Sequence, residues 1–150
     1  MEREDRLNQV LVHLFNDALR IEERSLAGCA PMLSLREVHV IEALCAAGEN
    51  NTMSALAARL HVTVGSLTVA VSTLARKGYC RRERDTADRR HVRIVPTERA
   101  LALNEAHTAF HREMVAEILQ SLPLSQQESL LDGLACVSRY FERKEQALRV

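Results

Sequence analysis

A mainly α-helical chain with one small β-hairpin is the fold class that this sequence predicts, on three observations. Apolar residues recur at helical spacing through most of the 150 residues, aromatic side chains make up only 3%, and the stretch after Gly78 changes to the period of a strand. A core of Leu, Val, Ala and Ile at such spacing indicates helix packed on helix rather than a sandwich or barrel. The 47% hydrophobic content excludes a disordered tail, and the length suffices for one core.

The first helix follows Leu7, Val10, Leu11, Leu14, Phe15, Ala18, Ile21 and Leu26, a long apolar stripe expected to stop before Gly28 and Pro31. Ser34 and Glu37 have capping-box spacing and start a second helix through Val38, Ile41, Leu44 and Cys45 to Gly48. Thr52 can cap a third, with Met53, Leu56, Ala57 and Leu60 on its inner face. His61 and Val62 then leave room only for a turn. Thr63 can cap the fourth, which turns Leu67, Ala70, Val71 and Leu74 inward and ends at Gly78, suited to a left-handed position. Residues 79–84 and 91–95 read as strands joined by the charged loop Asp85-Thr-Ala-Asp-Arg-Arg90. Thr97 can cap a long helix holding Leu101, Phe110, Met114, Val115, Ile118 and Leu122, ended by Pro123. Ser125 with Glu128 is expected to start the last, carrying Leu130, Leu131, Leu134, Val137 and Phe141.

The third and fourth helices form a helix-turn-helix, and the hairpin after them has the form of a wing. In such a unit the second helix enters the major groove of DNA, and its outward residues decide what is read. Here these are Thr63, Gly65, Ser66, Thr68, Val69 and Ser72. They offer hydroxyls for phosphates and base edges, an apolar contact for a thymine methyl, and at Gly65 a close backbone. Without an Arg or Lys for guanine on this face, readout is expected to lean on A·T-rich sequence, water bridges and DNA shape. Arg76 and Lys77 at the helix end, with Asp88, Arg89 and Arg90 in the loop, complete the candidate DNA contacts.

Charge is distributed to match. The chain is formally neutral, yet residues 76–99 hold nine Lys or Arg against four Asp or Glu, a local excess of five positive charges. A focused basic edge attracts a polyanion that a neutral whole would not. No segment approaches the ~20 apolar residues of a membrane span, and the charged start at Met1 is no signal peptide, so a cytoplasmic location without membrane contact is expected. Cys29, Cys45, Cys80 and Cys136 stand far apart with no Cys-x-x-Cys pair, as in a reducing compartment, and Cys29 falls in an expected loop. There is no Gly-x-Ser-x-Gly, Gly-rich phosphate loop or His-Glu-x-x-His, so an enzyme is not expected. The long terminal helices, residues 1–33 and 98–150, carry apolar stripes that the central region 34–97 cannot cover. A second copy would cover them, giving a homodimer that meets a pseudo-palindromic double-stranded DNA site.

Terminal dimerisation helices enclosing a winged helix-turn-helix resemble the multiple-antibiotic-resistance regulator (MarR) family along almost the whole chain. The family's wing pattern, Asp-x-Arg-Asp-x-Arg followed by Leu-Thr-x-x-Gly, corresponds to Asp85-Thr-Ala-Asp-Arg-Arg90 and Pro96-Thr-Glu-Arg-Ala100. Ala87 stands where the pattern has Arg, and Ala100 replaces the Gly. The resemblance implies that Arg90 enters the minor groove and that Asp88 holds it in position. The segment from Val62 to Val71, Lys77-Gly-Tyr79, His39 and the segment from His107 to Val115 resemble the branch that represses bacterial fatty-acid biosynthesis genes. That branch uses acyl groups on acyl carrier protein as co-repressor. By that resemblance no resident cofactor is required, and Leu14, Phe15, Phe110 and Met114 are candidate linings of an acyl pocket. An alternative is a regulator responsive to zinc or another small ligand. His107 and His111 are four apart on one helix face, and Cys29 and His39 resemble positions used by zinc-responsive members of the family.

Overall fold

A computed structural model of the chain describes residues 2–84 and 92–148. Its elements are α1 (Arg3–Cys29), α2 (Leu35–Ala47), α3 (Met53–Leu60), α4 (Val64–Arg76), β1 (Cys80–Arg84), β2 (Val92–Pro96), α5 (Glu98–Gln120) and α6 (Leu124–Leu148). This is the expected helical class with one antiparallel hairpin. The chain divides into two compact units, Met1–His107 and Thr108–Val150. The division between them lies inside α5, whose Ala100, Leu103 and His107 are buried.

The caps form as their spacing dictates. The Ser34 hydroxyl accepts from the Glu37 backbone N–H, and the Glu37 carboxylate accepts from the Ser34 N–H at 2.8 Å, closing the box on α2. Thr52 and Thr63 accept from Ala55 and Ser66 N–H at 3.3 and 3.1 Å. At the other ends α3 stops on His61, in the left-handed region at φ 56°, which His tolerates better than most side chains. Gly78 at φ 83° turns the chain out of α4 into the hairpin.

Two termini differ from expectation. The first helix runs on through Gly28 to Cys29. Its ladder continues to Ala30, whose N–H donates to Leu26 at 2.7 Å, and only Pro31, lacking an N–H, cannot extend it. Cys29 is thus a helical residue, with Sγ against the Ser25 carbonyl at 3.6 Å. At α6, Ser125 lies inside the helix and no Ser125–Glu128 box opens it. Pro123 supplies the first acceptor, for Gln126 N–H at 2.8 Å. The Gln127 amide donates to the Leu119 carbonyl in the last turn of α5 and to the Leu122 carbonyl just beyond it, at 2.9 and 3.2 Å. One side chain thereby satisfies a helix end that backbone alone leaves open.

The core lies in the first unit. Val38, Ile41 and Leu44 of α2, Leu56 and Ala57 of α3, Leu67, Val71 and Leu74 of α4, and Tyr79, Cys80 and Ile94 of the hairpin pack with Leu26, Ala30, Ala100 and Leu103. The buried residues of α2, α3 and α4 belong to the inner stripes that the periodicity marks, whereas α5 buries Ala100, Leu103 and His107 and leaves Leu101, Val115 and Ile118 of its expected stripe about half exposed. The stripe on α1 is different: Leu26 is its buried residue, while Leu7, Val10, Leu14, Phe15 and Ile21 remain about half exposed. In the second unit α6 buries no residue, and Leu131, Leu134 and Phe141 are likewise exposed. Among the described residues no single helix is long and apolar enough to cross a membrane.

Candidate nucleic-acid interface

The helices α3 and α4 are bent by 106°, within the roughly 90–120° of helix-turn-helix units. The bend is tight because His61 and Val62 N–H donate back to Ala58 and Ala57 at 3.2 and 3.0 Å. Buried Leu67, Val71 and Leu74 hold α4 by its inner face. The opposite face presents Thr63, Gly65, Ser66, Thr68, Val69, Ser72 and Arg76, all exposed, with Val69 at 68%. All six outward residues expected from the sequence therefore share one open face.

Their hydroxyls are already oriented. Thr63 donates to Ser66 at 2.9 Å, Thr68 to the Val64 carbonyl at 2.7 Å and Ser72 to the Thr68 carbonyl at 2.8 Å. A hydroxyl has one proton and two lone pairs. Thr68 and Ser72 therefore turn acceptor capacity outward, which suits donors on base edges or on other side chains.

The hairpin is fixed against this helix. Ile94 N–H donates to the Asn51 carbonyl at 2.9 Å, and Thr52 bridges Arg93 just before α3. At its base, Thr97 Oγ1 donates to the Gly78 carbonyl at 2.7 Å, and Arg99 lies over the Tyr79 ring at 4.5 Å. Arg82 on β1 donates from Nη2 to Ser72 Oγ at 2.9 Å. Sequence reasoning missed Arg82, although strand alternation with Ile94 as the buried partner could have singled it out. Asp88, Arg89 and Arg90 lie outside the described residues.

Lys77, the other expected contact at the helix end, is engaged within the chain. Its ammonium donates to the Glu37 carboxylate and to the Met32 carbonyl, each at 2.7 Å. Arg76, one residue earlier, is exposed.

The candidate effector residues are partly assembled. His39 and His107 have ring centroids 6.4 Å apart. Their nitrogens and a Glu42 carboxylate oxygen lie within 4.8 Å of one another. Glu42 was not foreseen, though one turn of helix after His39 puts it on the same side. Cys29 belongs to no such cluster among the described residues. His111 lies in the second unit, edge-on to Phe110 at 5.5 Å. Of the acyl-pocket candidates, Leu14 and Phe15 are half exposed on α1, and Phe110 and Met114 are partly buried in the second unit. A groove of about 570 Å³ in the first unit is lined instead by α2 and the helix-turn-helix, including Arg36, His39, Val40, Leu60, His61 and Ser66. Burial pushes the thiol pKa of Cys45 up; at Cys80 burial does the same against a smaller lowering effect of Arg82.

Comparison with known proteins agrees with this geometry. The MarR family model matches residues 33–92, the stretch from the second helix into the hairpin. The chain is 31% identical to Streptococcus pneumoniae FabT, solved in complex with DNA, covering 93% of this chain and 98% of that one at a TM-score of 0.85. Staphylococcus aureus MepR in its DNA complex shares the fold at 18% identity, covering 93% and 99% with a TM-score of 0.74. A MarR family transcription regulator, SP03579, does so at 17% identity, covering 95% of each chain with a TM-score of 0.77. Among curated proteins nothing matches. With an open reading helix, a braced hairpin and near full-length likeness to a DNA-bound regulator, the chain belongs to the MarR family and is a winged helix-turn-helix DNA-binding transcription regulator.

Proposed function

We propose that this regulator is a homodimeric repressor of bacterial fatty-acid biosynthesis genes, binding a pseudo-palindromic operator with acyl-acyl carrier protein as co-repressor. The observation that carries the reading is the near full-length likeness to FabT, at 31% identity, joined to the segments from Val62 to Val71 and His107 to Val115. The half-exposed stripe of α1 and the wholly unburied α6 support a second copy as their cover, since exposed apolar surface of this extent marks interaction sites. Two copies set two reading helices on one two-fold axis. An acyl chain that favours the DNA-competent spacing of those helices tightens DNA binding, and by linkage DNA tightens acyl binding equally.

A footprint on the DNA upstream of the chain's own gene, with and without acyl-acyl carrier protein, tests this. Protection of two related half-sites, strengthened by the acylated carrier and not by the unacylated one, is the expected result. Protection indifferent to the acyl group would remove the co-repressor.

The His39, Glu42 and His107 cluster favours a second reading, response to zinc. Two imidazoles and a carboxylate are a donor set that zinc accepts. Only a ligand of the native state raises the melting temperature, so thermal shift with zinc against acyl-acyl carrier protein separates the two. His39→Ala should abolish a zinc shift and leave an acyl shift intact.

A further inference from the structure

Ahead of Arg76 the outward face of α4 carries no cationic side chain, yet a guanidinium reaches its middle from the hairpin. In the β1–β2 register Arg82 stands opposite Ile94, and directly opposed residues of an antiparallel pair share one face. Ile94 is fully buried, so this face is turned toward the helical core and not away from it. Arg82 Nη2 meets Ser72 Oγ at 2.9 Å, while Ser72 commits its own proton to the Thr68 carbonyl at 2.8 Å. The serine is thereby an acceptor, and both residues of the pair are exposed. Neighbouring Arg81 differs: it stands opposite Val95 on the other face and pairs with Glu83.

We propose that Arg82 is a specificity-determining residue that reads a guanine in each operator half-site, with Ser72 as the positioning residue that aims it. The proposal rests on the DNA-binding reading above. A guanidinium carries five N–H donors in a planar fork, so one bond to Ser72 leaves donors for the O6 and N7 acceptors of guanine, the commonest specific contact in the major groove. The anchoring bond also restricts a long side chain before DNA arrives, reducing the ordering cost of binding. The hydroxyl face then keeps its A·T-leaning and shape-dependent share of the readout, and the missing guanine contact is supplied from the strand beside it.

The test is selection of duplexes from a random pool by the wild-type chain, Arg82→Ala, Arg82→Lys and Ser72→Ala at one fixed salt concentration. The wild type should enrich a two-fold-related motif with a strongly preferred G·C pair in each half-site. Arg82→Ala should lose roughly 5- to 150-fold of discrimination at that pair and keep the remaining positions; Arg82→Lys, which keeps charge without the fork, should lose it too. Ser72→Ala should weaken the same preference and no other, a result that a merely structural role would not produce. A uniform loss of affinity with the motif unchanged would make Arg82 a phosphate contact and overturn the proposal, as would an unchanged motif and affinity. If the wild type enriches no motif, the operator reading itself fails, which is a distinct outcome.

Discussion

The ammonium of Lys77 lies 2.7 Å from the Glu37 carboxylate, forty positions earlier in the chain, and so fastens the end of the reading helix to the first turn of α2. The same ammonium donates to Met32, and the other Glu37 oxygen closes the capping box with Ser34. Burial works to raise the Glu37 pKa, but the hydrogen bonds from Lys77 and Ser34 outweigh it and hold the carboxyl below its ordinary value of 4.5. A single ion pair thus joins the N-terminal cap of α2 to the DNA-reading unit.

Lys77→Ala should lower stability by about 1.5 to 3 kcal/mol, the worth of hydrogen bonds to a charged group, read as a fall in melting temperature. Because the ammonium is already engaged, the loss should appear in melting rather than in the salt dependence of DNA binding. A salt slope reduced as much as by an exposed phosphate contact would show that Lys77 leaves Glu37 for DNA.

The pH dependence follows from the direction of the Glu37 shift. A carboxyl whose folded pKa is depressed contributes stability that is present above the unfolded value and lost as pH falls through the folded one. The melting gap between wild type and Glu37→Gln should therefore be widest near neutrality and shrink below pH 4.5. A gap that is constant with pH would mean that the charge of Glu37 is not what matters.

Arg76→Ala should weaken binding to all sequences alike and reduce the slope of log K against log salt by about 1, as expected for one phosphate contact. Fluorescence anisotropy across a salt series measures both. A change in sequence preference without a change in slope would reassign Arg76 to base reading.

Thr63→Ala removes the side-chain acceptor that caps α4 at Ser66 N–H and should cost about 1 kcal/mol, while Thr63→Ser keeps the hydroxyl and should cost much less. Urea unfolding compares the three proteins. Equal losses in both variants would place the role of Thr63 in its methyl group.

Leu14→Glu and Phe141→Glu put charge on surfaces that are half exposed in the single chain, at 50% and 47%. If a second copy covers them, sedimentation should show dissociation to monomers and operator affinity should fall. A dimer undisturbed by either substitution would move the interface elsewhere.

What the sequence alone determined is local. Ser34, Thr52 and Thr63 cap their helices because each bond spans only three residues. Likewise the inner stripes Leu56, Ala57 and Leu67, Val71, Leu74 follow from a period that any helix imposes. Together they make the helix-turn-helix and its outward face legible in the sequence. Where two signals competed at a helix end, sequence was less decisive: α1 passed through Gly28, and Gln127 rather than Ser125 bonds across the start of α6.

Tertiary structure decided which charged and titratable groups meet. Arg82 finds Ser72 ten residues away, Lys77 finds Glu37 at forty, and His107 joins His39 and Glu42 from another helix. No periodicity encodes such pairs, because they arise when buried Ile41, Leu74 and Ile94 draw their elements into one core and carry the exposed side chains with them. The local code fixes each helix and the face it turns outward; hydrophobic burial between elements then selects the neighbours of every polar group on that face.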